Sequence, residues 1–427
     1  MSTDDPDLLR QQDIAFWESD IRPPERYLME RFITAAAQLD VPDAAHQPLR
    51  NPRLVPVEDT LWRPSLRMLS LDIETSMDAQ QLYSIAIWCD AAKTIFMVGE
   101  GDDTTANHDQ PQIIFCRDDK ACLQQFFAAI AALDPDILIG WNVVQFDLLV
   151  LEKLCQRLNI PLQLGRANQA IHWRHEDAND GGRSFVVIPG RVALDGIELL
   201  KAANYRYESY SLQNIAEELL GESKLISGNH RGDDITRLFN TDKRALAEYN
   251  LHDCELVWKI FQQQELLAFA LERSQLTGLL LDRIGGSVAA FEYLYLPRLH
   301  RRGYVAPNLG ELESDVISPG GYVMNSRPGI YDNVLVLDFK SLYPSIMRTF
   351  LIDPCAFWLA QHNHLPDEET VPGFNEAYFA REGHILPTVI EQLSAARDRA
   401  KQHKNAPLSH AIKIIMNSFY GVLGSTG

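Results

Sequence analysis

The chain has 427 residues, 46% of them hydrophobic and 23% charged, which is enough for roughly two to four domains with cores of their own. No apolar run approaches the roughly 18 residues of a membrane span, and the acidic opening MSTDDPDLLRQQ lacks the basic-then-apolar layout of a signal peptide, so a soluble cytoplasmic protein is expected. The net charge of −19 argues against broad affinity for nucleic acid unless basic residues are concentrated on one face, and six scattered cysteines without a C-x-x-C pair imply neither a disulfide framework nor structural zinc.

Residues 1 to about 65 are acidic and proline-punctuated, with one helical stretch around PPERYLMERFITAAAQL, and are expected to pack on a larger body. A strand follows at 67–74, within LRMLSLDIETSMD, whose alternation turns Asp72 and Glu74 to one side while Leu69, Leu71 and Ile73 face a core. Two like charges held side by side raise at least one pKa unless a cation sits between them, and a divalent metal is the usual remedy. Alone, the same pattern also suits a polar strand end. Strands at 82–88 and 94–98, a helix around 119–132, the apolar strand of DILIGWNVV and a helix from about 146 to 158 make an α/β pattern. Asp147 falls at the start of that last helix, where the dipole favours a carboxylate, and by itself reads as a helix-start aspartate. GRSFVVIPGRVALDGIELL reads as two more strands. A long helix over 242–272 then puts Tyr249 and Asp253 on one face, with His252 turned about 100° away toward the surface.

Together, Asp72, Glu74, Asp147 and Asp253 come from a strand, a helix start and a later helix of one α/β unit. That is the donor set of a two-metal site for phosphodiester cleavage, with two Mg²⁺ (or Mn²⁺) ions about 4 Å apart and Tyr249 orienting the attacking water. LDIET, NVVQFD and YNLHD resemble, in order and spacing, the D-x-E, N-x-x-x-F-D and Y-x-x-x-D exonuclease motifs of family B DNA polymerases, whose proofreading domain has a ribonuclease-H-like fold. The resemblance implies Asp72, Glu74, Asp147 and Asp253 as metal ligands and Tyr249 as the residue that positions water.

Residues 282–330, rich in Gly and Pro, are read as a connector. NVLVLD at 333–338 is expected to be a buried strand delivering Asp338 to its end, with the Ser341 and Leu342 N–H groups cradling phosphate oxygens and Tyr343 packing on a sugar. A strand-ending aspartate before a serine-capped helix is the plainer alternative. Two helices follow, at about 385–404 and 408–421. From His384 onward the chain carries five Lys and Arg against two acidic residues: Arg397 and Lys401 share one helix face, and Lys413, Asn417 and Tyr420 another. A solvated basic face is the default for such spacing. DFKSLYPSI and KIIMNSFYG, however, resemble polymerase motifs A and B of the same family. That implies Asp338 as a metal ligand, Tyr343 as the screen against ribonucleotides, and Arg397, Lys401 and Lys413 as the grip on the incoming triphosphate. Tyr420 would border the templating base. GDDT at 101–104 is read as a surface turn and HNH at 362–364 as a loop cluster.

The fold class expected is α/β: part of an N-terminal domain (1–66), a ribonuclease-H-like 3′→5′ exonuclease domain (67–270), a connector packing with the N-terminal domain (271–330), a partial family B palm with motif A (331–383) and fingers helices with motif B (384–427). Neither an Asp-Thr-Asp motif C nor a thumb occurs in these residues, so the stretch is expected to keep the exonuclease site but not complete polymerase chemistry. The function implied is DNA-directed DNA synthesis with proofreading in replication, repair and the damage response. Its partners would be primer–template DNA, single-stranded 3′ ends and deoxynucleoside triphosphates, with a sliding clamp a further candidate through C-terminal residues of a kind not found here. A free-standing two-metal 3′→5′ exonuclease would need only residues 67–270 and would have no use for motifs A and B. A DNA-binding module with dead sites would be expected to have lost a ligand.

Overall fold

The computed structural model describes residues 16–40, 52–57, 63–104, 111–175, 182–226, 231–308, 324–374 and 376–424. The chain divides into two compact units, one of residues 62–271 with 280–285, the other of residues 1–61 with 272–279 and 286–427. Near its start, α1 (Pro23–Met29) has prolines in its first turn and ends where Phe32 turns left-handed (φ 54°) and the Ile33 N–H closes on the Leu28 carbonyl. The helix expected to continue through TAAAQL therefore stops short. Ala37–Asp40 is instead strand β1, antiparallel to β2 (Arg53–Pro56).

The first unit is built on a six-stranded sheet. β3 (Met68–Thr75), β4 (Leu82–Cys89) and β5 (Ala92–Val98) form an antiparallel meander, and β6 (Gln112–Cys116) lies parallel to β5. After α2 (Asp119–Leu133), whose first turn is capped by Asp118, β7 (Ile137–Gly140) returns parallel to β3. α3 (Asp147–Arg157), the hairpin of β8 (His172–His175) and β9 (Ser184–Val187), and β10 (Val192–Asp195), parallel to β7, follow. The order β10-β7-β3-β4-β5 is the ribonuclease-H-like arrangement, with β6 added at the edge. The apolar residues of β3 and, Trp88 excepted, those of β4 are buried in the core. α4 (Gly196–Ala202), α5 (Leu212–Leu220), α6 (Arg231–Thr241), α7 (Lys243–Gln263) and α8 (Leu266–Thr277) complete the unit's helices and lead out of it, with α7 packed on β3 and β4. The single helix expected over 242–272 is thus two, broken where Glu265 is left-handed (φ 49°).

In the second unit, α9 (Ser287–His300) lies within the stretch expected to be a connector packing with the N-terminal residues. Tyr293, Leu296 and Leu299 from it share a core with Met347, Ile390, Ile412 and Phe419. α10 (Leu342–Thr349), α11 (Pro354–His362), the hairpin of β11 (Thr370–Pro372) and β12 (Tyr378–Ala380), α12 (Leu386–Gln402) and α13 (Ala406–Leu423) follow, the last two close to the expected bounds. Asp353 is buried and accepts hydrogen bonds from Tyr295 Oη and the N–H groups of Ala356, Ile385 and Leu386, tying the start of α11 to the start of α12. The buried strand expected at 333–338 is not found: Val334–Leu337 are irregular and 71–84% exposed. A short apolar run becomes a strand only against a neighbour that takes its N–H and C=O groups, and the described residues supply none here. Among the described residues no helix is long and apolar enough to cross a membrane.

Candidate active site

The first unit brings the exonuclease-motif carboxylates together at the carboxyl ends of β3 and β7. Asp72, Glu74 and Asp253 offer oxygens within 4.8 Å of one another, the one such acid group among the described residues. Asp147, the first residue of α3, reaches in from the side, and its Oδ1 accepts the N–H of Ile73, between the two strand acids, at 3.1 Å. Tyr249 and Asp253 share the buried face of α7 as their spacing predicts, although Asp253 is fully buried where that spacing alone would allow an exposed side chain. His252 turns away from the site, its Nε2 3.1 Å from the Ser223 carbonyl.

Burial and mutual repulsion dominate the electrostatics. Burial, then the charge of Asp253, raises the Asp72 carboxyl above the usual range; burial and Asp72 do the same for Glu74 and for Asp147. Two cations oppose this. Lys224, nearly buried, pairs with Asp253 Oδ2 and stands 3.3 Å from the Tyr249 hydroxyl, while Arg231 lies 3.7 Å from Glu74 and 3.6 Å from Asp253. Asn250 adds a neutral bond, donating from Nδ2 to Asp72 at 2.6 Å and accepting from Ser84 Oγ at 2.8 Å. Four carboxylates still outnumber two cations, and Glu74 Oε1 and Asp253 Oδ1 are buried without a hydrogen-bond partner. Hard, crowded, partly unsatisfied oxygens with raised proton affinity are the donor set that fits divalent cations. Asp72, Glu74 and Asp147 line a cleft of about 690 Å³ whose walls also include Met77, Trp141, Phe146, Tyr210 and Leu212, surfaces suited to a base and its sugar.

The motif A and B residues lie in the second unit. Asp338 is exposed in the irregular segment before α10. Ser341 occupies the N-cap position of α10 in a left-handed conformation (φ 54°), with no side-chain capping bond, and Leu342 begins the helix. The Tyr343 ring stacks on that of Tyr420 at 4.0 Å, so α10 and α13 bring the two motifs into contact. Lys401, Lys413 and Asn417 are exposed, and Arg397 is half-buried with its Nε lacking a hydrogen-bond partner. GDDT is irregular and mostly exposed, with Asp103 accepting the Phe115 N–H, and in HNH the ring of His362 stacks on Trp358.

Sequence reasoning missed Lys224, Arg231, Asn250 and Ser84. Two of these left a trace: a serine inside the apolar run LYSIAIW needs a buried partner, and Asn250 lies three residues before Asp253, on its helix face. Lys224 and Arg231 arrive from outside the three motifs, and no periodicity marks them.

Comparison with known proteins agrees with the motifs. The model of the DNA polymerase family B exonuclease domain matches residues 14–215, taking in Asp72, Glu74 and Asp147, and that of DNA polymerase family B matches residues 284–427. DNA polymerase II of Escherichia coli (strain K12) is 49% identical over 421 residues, covering 98% of this chain and 52% of that protein. The DNA polymerase of Thermococcus gorgonarius is 25% identical over 91% of this chain and 50% of its own, and the DNA polymerase delta catalytic subunit of Oryza sativa subsp. japonica is 31% identical over 70% and 29%. The structure of the family B DNA polymerase from the hyperthermophilic archaeon Pyrobaculum calidifontis matches with a TM-score of 0.72 at 24% identity, covering 96% of this chain and 54% of that one, a likeness of fold. The chain spans about half the length of the bacterial and archaeal relatives. With models matched on either side of the chain and nearly half the residues identical to one relative along almost all of it, this chain belongs to DNA polymerase family B.

Proposed function

We propose that the chain carries the 3′→5′ proofreading site, and part of the nucleotide-selecting site, of a DNA-directed DNA polymerase of the polymerase II type. The observation that carries the reading is the group Asp72, Glu74 and Asp253 with Asp147 beside it, of which Asp72, Glu74 and Asp147 line an apolar-walled cleft. These four carboxylates would hold two divalent ions, Mg²⁺ or Mn²⁺, which when bound supply the charge that lowers the pKa of a water and stabilises the leaving oxygen. The chain's own groups do the rest. Burial and the surrounding carboxylates hold the Tyr249 phenol protonated, well above the usual tyrosine range, so its hydroxyl is a hydrogen-bond donor and not a base, suited to orienting a water. Lys224 braces that hydroxyl, and Asn250 fixes the rotamer of Asp72. Phe146 and Trp141 in the cleft wall favour an unstacked terminal base, hence a single-stranded or frayed 3′ end.

In the second unit, the proposed roles are triphosphate contacts from Arg397, Lys401 and Lys413, phosphate contacts from the Ser341 and Leu342 N–H groups, metal binding by Asp338, and sugar selection by Tyr343, whose ring stacks on that of Tyr420. Asn417 and Tyr420 would face the nascent base pair. The test is shortening of a 5′-labelled single-stranded oligonucleotide in Mg²⁺. Asp72→Ala should abolish it and Asp338→Ala should leave it unchanged; cleavage by Asp72→Ala at the parental rate would refute the assignment.

A further inference from the structure

Arg231 is placed unlike the other cation at the acid group. Lys224 is committed, with 7% of its side chain exposed and both Asp253 and Tyr249 in contact. Arg231 is 43% exposed, and its two ion pairs, at 3.6 and 3.7 Å, are longer than hydrogen bonds. A Cβ at the next residue, Gly232, would come within 2.8 Å of Met77 Cγ, so the α6 backbone closes directly on the cleft rim and Arg231 lines the cleft. A planar fork of five donors, held by two long ion pairs and lying over the Tyr249 ring at 5.6 Å, keeps most of its donors for an incoming anion.

An entering DNA 3′ end brings a phosphodiester toward four carboxylates, and cations on those carboxylates weaken their hold on Arg231. We propose that Arg231 is a substrate-binding residue that takes the phosphodiester at the 3′ end of single-stranded DNA, exchanging its loose pairs with Glu74 and Asp253 for the phosphate oxygens. This rests on the reading of the cleft as a nucleolytic site.

The test is fluorescence anisotropy with the full chain, in Ca²⁺ and in EDTA, using 5′-labelled single-stranded oligothymidylates whose 3′-terminal linkage is either a phosphodiester or an uncharged methylphosphonate. Arg231→Ala should weaken binding of the phosphodiester oligonucleotide by about tenfold or more, as loss of a charge-assisted contact requires. The methylphosphonate should weaken the parent protein to the same degree and the variant hardly at all. Arg231→Lys, which keeps the charge but not the fork, should fall between, and it carries the test if Arg231→Ala melts below the assay temperature. Unchanged binding by a folded variant, or an equal methylphosphonate penalty in both proteins, overturns the proposal. If the parent cleaves 3′ ends while either of those results is found, only the role of Arg231 fails; if the parent neither cleaves nor binds 3′ ends, the reading of the cleft fails with it.

Discussion

Asn250→Ala probes how the acid group is held before any cation binds. Asn250 is fully buried on α7, donating to the Asp72 carboxylate at 2.6 Å and accepting from Ser84 Oγ at 2.8 Å. The substitution removes one hydrogen bond to a charged acceptor, about 1.5–3 kcal/mol, and one between neutral groups, about 1 kcal/mol. It also leaves a void the size of a carboxamide beside Asp72, in a core that cannot collapse around the sheet. The expected loss is about 3–5 kcal/mol from the stability of the unit built on β3 and β4. Divalent ions should restore part of it, because a cation on Asp72 replaces the missing donor and binding to the native state alone is stabilising. Hydrogen exchange resolved to β3, β4 and α7 measures this unit apart from the other, with and without Mn²⁺. A loss below about 1 kcal/mol would overturn this, since buried Ser84 and the partly buried Asp72 would then have lost their partner at no cost.

Tyr249→Phe should slow release of 3′ nucleotides without weakening divalent-ion binding, since it removes a donor and no ligand; an abolished ion-binding signal would contradict this. Gly278→Ala should cost about 2–4 kcal/mol, because Gly278 sits at φ 72° and a Cβ there would strike the ring of buried Tyr293; an unchanged melting curve would count against it. In the second unit, burial works to raise the Glu18 carboxyl, but hydrogen bonds from His300, the Ala306 N–H and Arg26 outweigh it and hold the pKa below the usual glutamate value. A depressed carboxyl contributes stability above its unfolded pKa and loses it as pH falls through the folded one, so protection of α1 and α9 should decline below about pH 4. Glu18→Gln should flatten that decline.

How much was legible depended on whether a signal was local. The D-x-E alternation, the four-residue spacing of Tyr249 and Asp253 and the helix start at Asp147 are fixed by the backbone period, and the sheet and helices place these residues together as the pattern implied. The run NVLVLD has the composition of a buried strand, yet strand formation depends on a partner, and its apolar side chains stand in solvent. The break at Glu265 was hidden because the apolar pattern continues through it; only the left-handed residue ends the helix. Lys224 and Arg231 were invisible for a different reason. A counter-ion can approach a buried charge from any element, so no spacing in the sequence announces it, whereas Asn250 could have been found from the demand that buried Ser84 and Asp72 be partnered.

Asp72, Glu74, Asp147 and Asp253 are proposed to form a divalent-ion site. Calorimetric titration of the full chain with Mn²⁺ reads that binding without requiring turnover. Saturable binding of about two ions per chain is expected, lost in Asp72→Ala and in Asp253→Ala but kept in Asp338→Ala. No saturable binding, or binding that survives both exonuclease-site substitutions, would contradict it.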